Sequence, residues 1–264
     1  MKITIIGAGN MGGAIARGLA QGTIFNEKDI TVTARSGKTL QALQSANPGF
    51  IVSMDNAEAI KDADIVLLAV KPWLLESVID QIRHTLNLKK QIILSVVAAV
   101  SFADLQKMLC GDETFSPVLF RIIPNTAVAV RQSMTIISAK NATIEQTNLI
   151  KSIFDELGES AVVEENLMGA ATALCSCGIA FAYKYIQANI NGAVELGLYP
   201  DQARKMITQT LRGAADLMDA NDSMPEAEIF KVTTPGGITI KGLNEMDANG
   251  FSTAVVKALK VSTK

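Results

Sequence analysis

Gly7, Gly9 and Gly12 carry the first chemistry that can be read in this chain. In "KITIIGAGNMGGAIARGL" they follow a short apolar run and open a helical pattern, the G-x-G-x-x-G spacing that lets a backbone meet a pyrophosphate. Gly7 permits a tight turn, Gly9 allows close approach of the phosphates, and Gly12 brings helix against strand. The N–H groups at the start of the helix then face the anion. A glycine triplet without its strand and helix is a weak signal, because such triplets arise by chance; here the context supplies the weight.

A second turn decides which dinucleotide fits. "DITVTARSGK" reads as a strand running into a helix, and the turn between them is where an acid would hold the adenosine ribose hydroxyls and repel a 2′-phosphate. Asp29 stands at the wrong end of that strand, and Ala34 stands near the acid's place. Arg35, Ser36 and Lys38 instead offer a guanidinium, a hydroxyl and an ammonium, all donors suited to a dianionic phosphate. The turn reads as an NADPH site, with a solvated basic loop as the alternative.

Two further turns border a reaction centre. "ADIVLLAVKP" is a buried strand ending in Ala69, Val70, Lys71 and Pro72, at the carboxyl end where ligands bind open α/β sheets. Lys71 approaches cofactor or substrate there, or is an ordinary turn lysine. Nearby, Asp55 or Asn56 can cap a short helix. In "KVTTPGGITIKGLNEMD", Pro235, Gly236 and Gly237 precede Ile238 and Thr239. A tight turn leading into a helix presents backbone N–H groups beside the Thr239 hydroxyl and suits a small carboxylate; an N-capped helix start with no ligand has the same local pattern.

What is missing narrows the reaction. His84, the single histidine, reads as mid-helix in "DQIRHTLN" and as a surface or packing residue, so no base for alcohol oxidation is evident. Lys184 and Asn189 are spaced five apart, off one helical face. A protonated imine is already electrophilic, so hydride delivery to its carbon is served by proximity and orientation. The site chemistry favours imine reduction.

These residues need a scaffold, and the periodicity supplies one. Strands are expected at "KITIIG", "DITVTA", "FIVS", "ADIVLLAV", "QIILSVV", "VLFRII", "SMTIISA" and near Ala161 to Val163. Helices such as "GGAIARGLAQG" and "PWLLESVIDQIRHTLN" alternate with them, the βαβ pattern of a doubly wound parallel sheet. Beyond about Asn166 helices alone follow: an uncharged segment from Leu167 to Tyr183, then "PDQARKMITQTLRGAADLMDAN", then two shorter ones. The fold class is α/β, a Rossmann-type doubly wound sheet over 1–164 followed by an all-α domain over 165–264. Cys175 and Cys177 read as core packing on a helix rather than a redox pair.

Composition sets the outer bounds. A formal net charge of −2 gives no basic excess for nucleic acid or anionic lipid. The three cysteines form neither an even disulfide framework nor a metal motif, so no metal is expected and a cytoplasmic setting is. The five-residue apolar start is too short for a signal peptide. The uncharged segment is rich in small and polar residues, poor material for a membrane span, and is expected to be buried against its own domain or a partner subunit.

With these residues in place the chain resembles the pyrroline-5-carboxylate reductase family, NAD(P)H-dependent enzymes of the last step of proline synthesis. The resemblance covers nearly the whole length: "IGAGNMGGAIARGL" at 6–19, "AVKP" at 69–72, "IPNTA" at 123–127, "QTLRGAADLM" at 209–218 and "VTTPGGITIKGL" at 232–243. It implies NADP(H) on Ile6, Gly7, Ala8, Gly9, Asn10, Met11, Arg35, Ser36, Lys38, Asn56, Ala69, Val70, Lys71 and Pro72. For the small cyclic imino acid it implies Gly237, Ile238 and Thr239, with Thr239 acting at the ring nitrogen or carboxylate, and Asp222 as an acid near the substrate. It also implies a homodimer of intertwined helical domains, often assembled into larger rings. The family's Met-Pro-Asn-Thr-Pro is "IPNTA" here, its Ser-Gly-Ser-Gly-Pro-Ala is "CSCGIA" at 175–180, and Met224, Pro225 and Phe230 occupy a loop that usually carries His-Pro. Two other readings stay open: another NADP-linked oxidoreductase on this two-domain plan, and an NADPH-binding regulatory relative without turnover.

Overall fold

A computed structural model describes residues 1–111 and 115–263. Runs mostly rich in Ile, Val and Thr form the strands: β1 Ile3–Ile6, β2 Ile30–Thr33, β3 Ile51–Ser53, β4 Ile65–Leu68, β5 Ile92–Ser95, β6 Leu119–Ile123, β7 Ser133–Lys140 and β8 Gly158–Val162. Their ends lie within one to three residues of those expected from sequence. Between the strands run α1 Asn10–Leu19, α2 Gly37–Ala46, α3 Asn56–Ala59, α4 Leu75–Ile82, α5 Phe102–Cys110 and α6 Ile144–Asp155. Then come α7 Met168–Ala171, α8 Gly178–Glu195, α9 Pro200–Asn221, α10 Pro225–Val232, α11 Ile238–Ala248 and α12 Phe251–Val261. The chain divides into two compact units, Met1–Ser176 and Cys177–Lys264.

In the first unit the strands form one sheet in the order β3-β2-β1-β4-β5-β6-β7-β8. β1 to β6 run parallel, with Ile3 beside both Ile30 and Ile65. β7 pairs antiparallel with β6, and β8 runs parallel to β7. Side chains alternate between faces along a strand, and the burial follows. Ile3, Ile5, Ile65, Leu67 and Leu94 enter one core with Ile15, Leu19, Ile153 and Phe154. Ile6, Val66, Leu68 and Ile93 enter the other with Leu75, Ile79, Ile82 and Leu105. Helices on both faces make the central strands apolar throughout, the reason "IVLL" shows no alternation in its sequence. Chain order reverses between β2-β1 and β4, which opens a crevice at the carboxyl ends of β1 and β4.

Three sequence expectations are corrected here. The helix expected over 72–87 is a 3-10 turn, Pro72–Leu74, followed by a shorter α4 that stops at Ile82. The apolar stripe Leu75, Val78, Ile79, Ile82 ends there, so His84 lies in an exposed turn and not mid-helix. The helical end holds three short helices after α9 rather than two, because Gly250, at φ 77°, separates α11 from α12. The uncharged segment is broken: Thr172–Cys177 is π-helical between α7 and α8. Cys175 and Cys177 thus sit partly exposed in a π turn and not in a packed α-helix.

The second unit contains helices joined by short loops and no strand among its described residues. α8 and α9 pack along each other, and Tyr185 of α8 meets Phe251 of α12 edge-on with ring centroids 6.1 Å apart. Among its described residues only Ala203 is buried. By length and composition the run Glu165–Glu195 is apolar enough to cross a membrane, with a mean hydropathy of 1.3.

Candidate functional site

The glycine turn after β1 assigns each glycine a separate task. Gly7 has φ 107°, and a Cβ there would come 2.6 Å from the Ala69 carbonyl oxygen. Its N–H and that of Ala8 donate to the Thr33 carbonyl at 3.1 and 2.8 Å, tying the turn to the end of β2. A Cβ on Gly12 would stand 2.1 Å from the Gly7 oxygen and 2.9 Å from Ala69 Cβ. Gly12 therefore seats α1 on the turn and on the end of β4. Gly9 differs: it is exposed, and a Cβ on it would meet nothing within 4 Å. The space beside Gly9 is open, as a close-approaching phosphate requires.

α1 begins at Asn10 with Gly9 as an extended N-cap, no capping side chain and no acid in its first turn. The N–H groups of Asn10, Met11 and Gly12 have no carbonyl four residues back within the helix. They form, with the helix dipole, a cradle for an anion.

The turn after β2 is equally uncommitted. Arg35, Ser36 and Lys38 are exposed. Among the described residues neither Arg35 nor Lys38 forms an ion pair. Ser36 caps α2 by position yet its hydroxyl makes no capping hydrogen bond, and the first turn of α2 holds no acid. Asp29 lies before β2, in the 3-10 turn Glu27–Asp29. Hydrogen bonds from the side chain and backbone of Asn26 hold its carboxyl below the usual range.

Of the pair in "MDNAEAI", Asp55 is the cap, accepting from Glu58 N at 3.0 Å. Asn56 is thereby released for another task. Its Oδ1 accepts from Thr33 Oγ1 at 2.6 Å and its Nδ2 donates to Gln81 Oε1 at 2.8 Å. The amide clasps β2, α3 and α4 together, and one N–H with one lone pair remains for a ligand. Thr33 and Gln81 carry no local sign of this role in the sequence. Ala69 donates its N–H to the Ile6 carbonyl at 2.8 Å, which places the Ala69–Pro72 turn beside the glycine turn. Val70 is partly buried, and Lys71 and Pro72 are exposed at the start of the 3-10 turn.

In the second unit, Gly236 adopts φ 74° and Gly237 N donates to the Thr234 carbonyl at 2.9 Å. Gly237 is the extended N-cap of α11 and provides no side-chain cap. The N–H groups of Ile238 and Thr239 open the helix beside the exposed Thr239 hydroxyl. Ile238 is 87% exposed. Asp222 closes α9 in the left-handed region, φ 46°. Its loop is gathered by Glu228, whose Oε1 accepts from Lys231 Nζ at 2.6 Å, Ser223 Oγ at 2.7 Å and Asn221 Nδ2 at 3.1 Å. The Lys231 and Ser223 hydrogen bonds bring the Glu228 carboxyl down to about 2.

The cofactor candidates thus gather at one edge of the sheet in the first unit, and the substrate candidates lie in the second. His84 and Lys184 join neither group; Lys184 Nζ donates to Gln187 Oε1 at 3.1 Å on its own helix.

The family model for pyrroline-5-carboxylate reductase dimerisation matches residues 165–264, and that for NADP oxidoreductase, coenzyme F420-dependent, matches residues 2–99. Pyrroline-5-carboxylate reductase 2 of Dictyostelium discoideum is 35% identical over 100% of this chain and 91% of its own length. Pyrroline-5-carboxylate reductase 1 of the same organism is 37% identical over 99% of this chain; the chain spans about half of that relative's length, 48%. The crystal structure of Plasmodium falciparum pyrroline carboxylate reductase with NADP bound superposes with a TM-score of 0.87 at 25% identity, over 100% of this chain and 95% of that one. Similarity at this level along the full chain, with the dimerisation model over its helical part, places the protein in the pyrroline-5-carboxylate reductase family.

Proposed function

We propose that this chain reduces 1-pyrroline-5-carboxylate to L-proline with NADPH as its cofactor. The observation that carries the reading is the match along 91% of a reductase at 35% identity. The geometry agrees with it on two counts. The turn after β2 offers Arg35, Ser36 and Lys38 where an acid would exclude a 2′-phosphate, and the space beside Gly9 is open to a pyrophosphate.

When bound, NADPH supplies the hydride that reduces the carbon of the C=N bond. The chain's own residues bind and orient. The first-turn N–H groups of α1 hold the pyrophosphate, and Arg35, Ser36 and Lys38 hold the 2′-phosphate. The N–H groups of Ile238 and Thr239 donate to the substrate carboxylate, and the Thr239 hydroxyl donates to that carboxylate or accepts from the protonated ring nitrogen. No side-chain base is required, because a protonated imine needs orientation more than proton removal. Asp222 lies in the loop that Glu228 orders and is the acid proposed near the substrate.

The helical unit supports a homodimer. Tyr183, Val194, Leu217, Phe230, Phe251 and Val256 are exposed in a single chain, a load of apolar surface that a soluble monomer rarely carries. A second copy burying these faces accounts for α8 without a membrane; further assembly of dimers into a ring, in a cytoplasmic setting, completes the proposal. Mass spectrometry of the product tests the activity directly. Purified protein given NADPH and pyrroline-5-carboxylate should form proline, and absence of proline with NADPH binding intact would remove the reading.

A further inference from the structure

The π-helical segment Thr172–Cys177 interrupts the run from α7 to α8. A π turn displaces carbonyls from their ordinary α-helical partners, and such turns recur at functional sites. Two carbonyls in and before the segment take side-chain donors. Thr172 Oγ1 donates to the Met168 carbonyl at 2.6 Å, and Asn125 Nδ2 donates to the Cys175 carbonyl at 3.1 Å. The second bond joins residues fifty positions apart.

Asn125 is built for this bond. It is 8% exposed and stands just beyond β6, at the same edge of the sheet as the turns after β1 and β4, because β1 to β6 run parallel. Its backbone N–H donates to Ser133 Oγ at 3.1 Å, and its Oδ1 accepts from Ala127 N at 2.9 Å. Ser133 Oγ in turn accepts from Thr135 Oγ1 at 3.0 Å. With Oδ1 held by the 3-10 turn Thr126–Val130 that Asn125 caps, and its backbone N–H held by Ser133 of β7, the amide turns Nδ2 to the Cys175 carbonyl. The first unit ends at Ser176 and the second begins at Cys177, so the carbonyl that Asn125 holds is one residue from the joint.

We propose that Asn125 is a positioning residue for the reduction: it fixes the register of the π turn and, with it, the point at which the chain leaves the cofactor unit. This rests on the reading of the chain as a reductase whose cofactor donors lie before the joint and whose substrate donors lie after it. A reacting group misplaced by about 1 Å loses on the order of a hundredfold in rate, so a fixed register at this edge of the cofactor unit has a direct value to turnover.

The test uses the full chain and two substitutions. Asn125→Ala removes the donor. It should lower kcat by about tenfold, within the range for a lost buried hydrogen bond, with the NADPH dissociation constant held within about twofold. Asn125→Asp keeps the acceptor for Ala127 N but presents a carboxylate to the Cys175 carbonyl; only its protonated form can donate. Its rate relative to wild type at the same pH should therefore rise as pH falls toward the carboxyl range, which a merely structural defect would not produce. A wild-type kcat in Asn125→Ala, a flat ratio for Asn125→Asp, or joint loss of NADPH binding and turnover in both would overturn the proposal. Amide hydrogen exchange over residues 172–180 reads the clamp without substrate. Faster exchange in Asn125→Ala supports it, and unchanged exchange overturns it, even if the wild-type chain proves to reduce a different imine.

Discussion

Arg35 is where a single side chain should decide cofactor choice. It is exposed and forms no ion pair among the described residues, so its guanidinium is available to a 2′-phosphate. Arg35→Ala should weaken NADPH binding roughly thirtyfold, the loss of about 2 kcal/mol from charge-assisted hydrogen bonds, and leave NADH nearly unchanged. Titration of both cofactors checks this, and equal losses for the two would sink the 2′-phosphate assignment. At this scale the sequence was legible where the signal was local. Gly7 and Gly12 stand close in sequence, and their reasons, a positive φ and a close approach, belong to one turn. Asn56, Thr33 and Gln81 were not legible as a group, because they meet across 23 and 25 residues. Asn125 was visible in "IPNTA", but its partner fifty residues on was not.

Elements are legible in the sequence in kind and less so in extent. All eight strands are expected from the sequence, seven as runs rich in branched apolar residues and β8, Gly158–Val162, only near its end at Ala161 and Val162. The sequence pattern of α4 runs past its true end because hydrophobic residues continue at Leu86 and Leu88 after its buried stripe has ended. The break at Thr172–Cys177 left no sign in composition. Gly9 and Gly12 both open α1, yet only Gly12 is crowded. Gly12→Ala should cost about 1–3 kcal/mol through overpacking, seen as a lower Tm, whereas Gly9→Ala should keep the wild-type Tm and lose NADPH affinity. A falling Tm in Gly9→Ala would contradict the open space described there.

The loop between α9 and α10 gives the pH case. Glu228 is held down to about 2 from an ordinary 4.5 by Lys231 and Ser223. Its contribution to stability is complete above pH 4.5 and is lost as pH falls toward about 2. Thermal melts through that window should fall less steeply for Glu228→Gln than for wild type, and parallel slopes would remove the carboxylate from the account.

For the whole molecule, the two units show how differently a chain can account for its own surface. The first buries two cores on either side of a sheet, while the second buries only Ala203 among its described residues. The helical half is legible from its periodicity and a partner from the uncharged segment and the family resemblance, but the extent of the face left to that partner is not, since exposure is a property of the folded chain. Sedimentation should therefore give at least twice the 28.1 kDa chain mass at micromolar concentration; a monomer throughout would contradict the proposed dimer. The central claim, an NADPH-dependent imine reductase with Thr239 at the substrate, is tested most directly by following NADPH absorbance with pyrroline-5-carboxylate, alongside NADH and Thr239→Ala. The account predicts oxidation that prefers NADPH and drops by about tenfold or more in kcat/KM for Thr239→Ala, the loss of a hydrogen bond to a charged group. Wild-type turnover in that variant, or no turnover by a wild-type protein that binds NADPH, would contradict it.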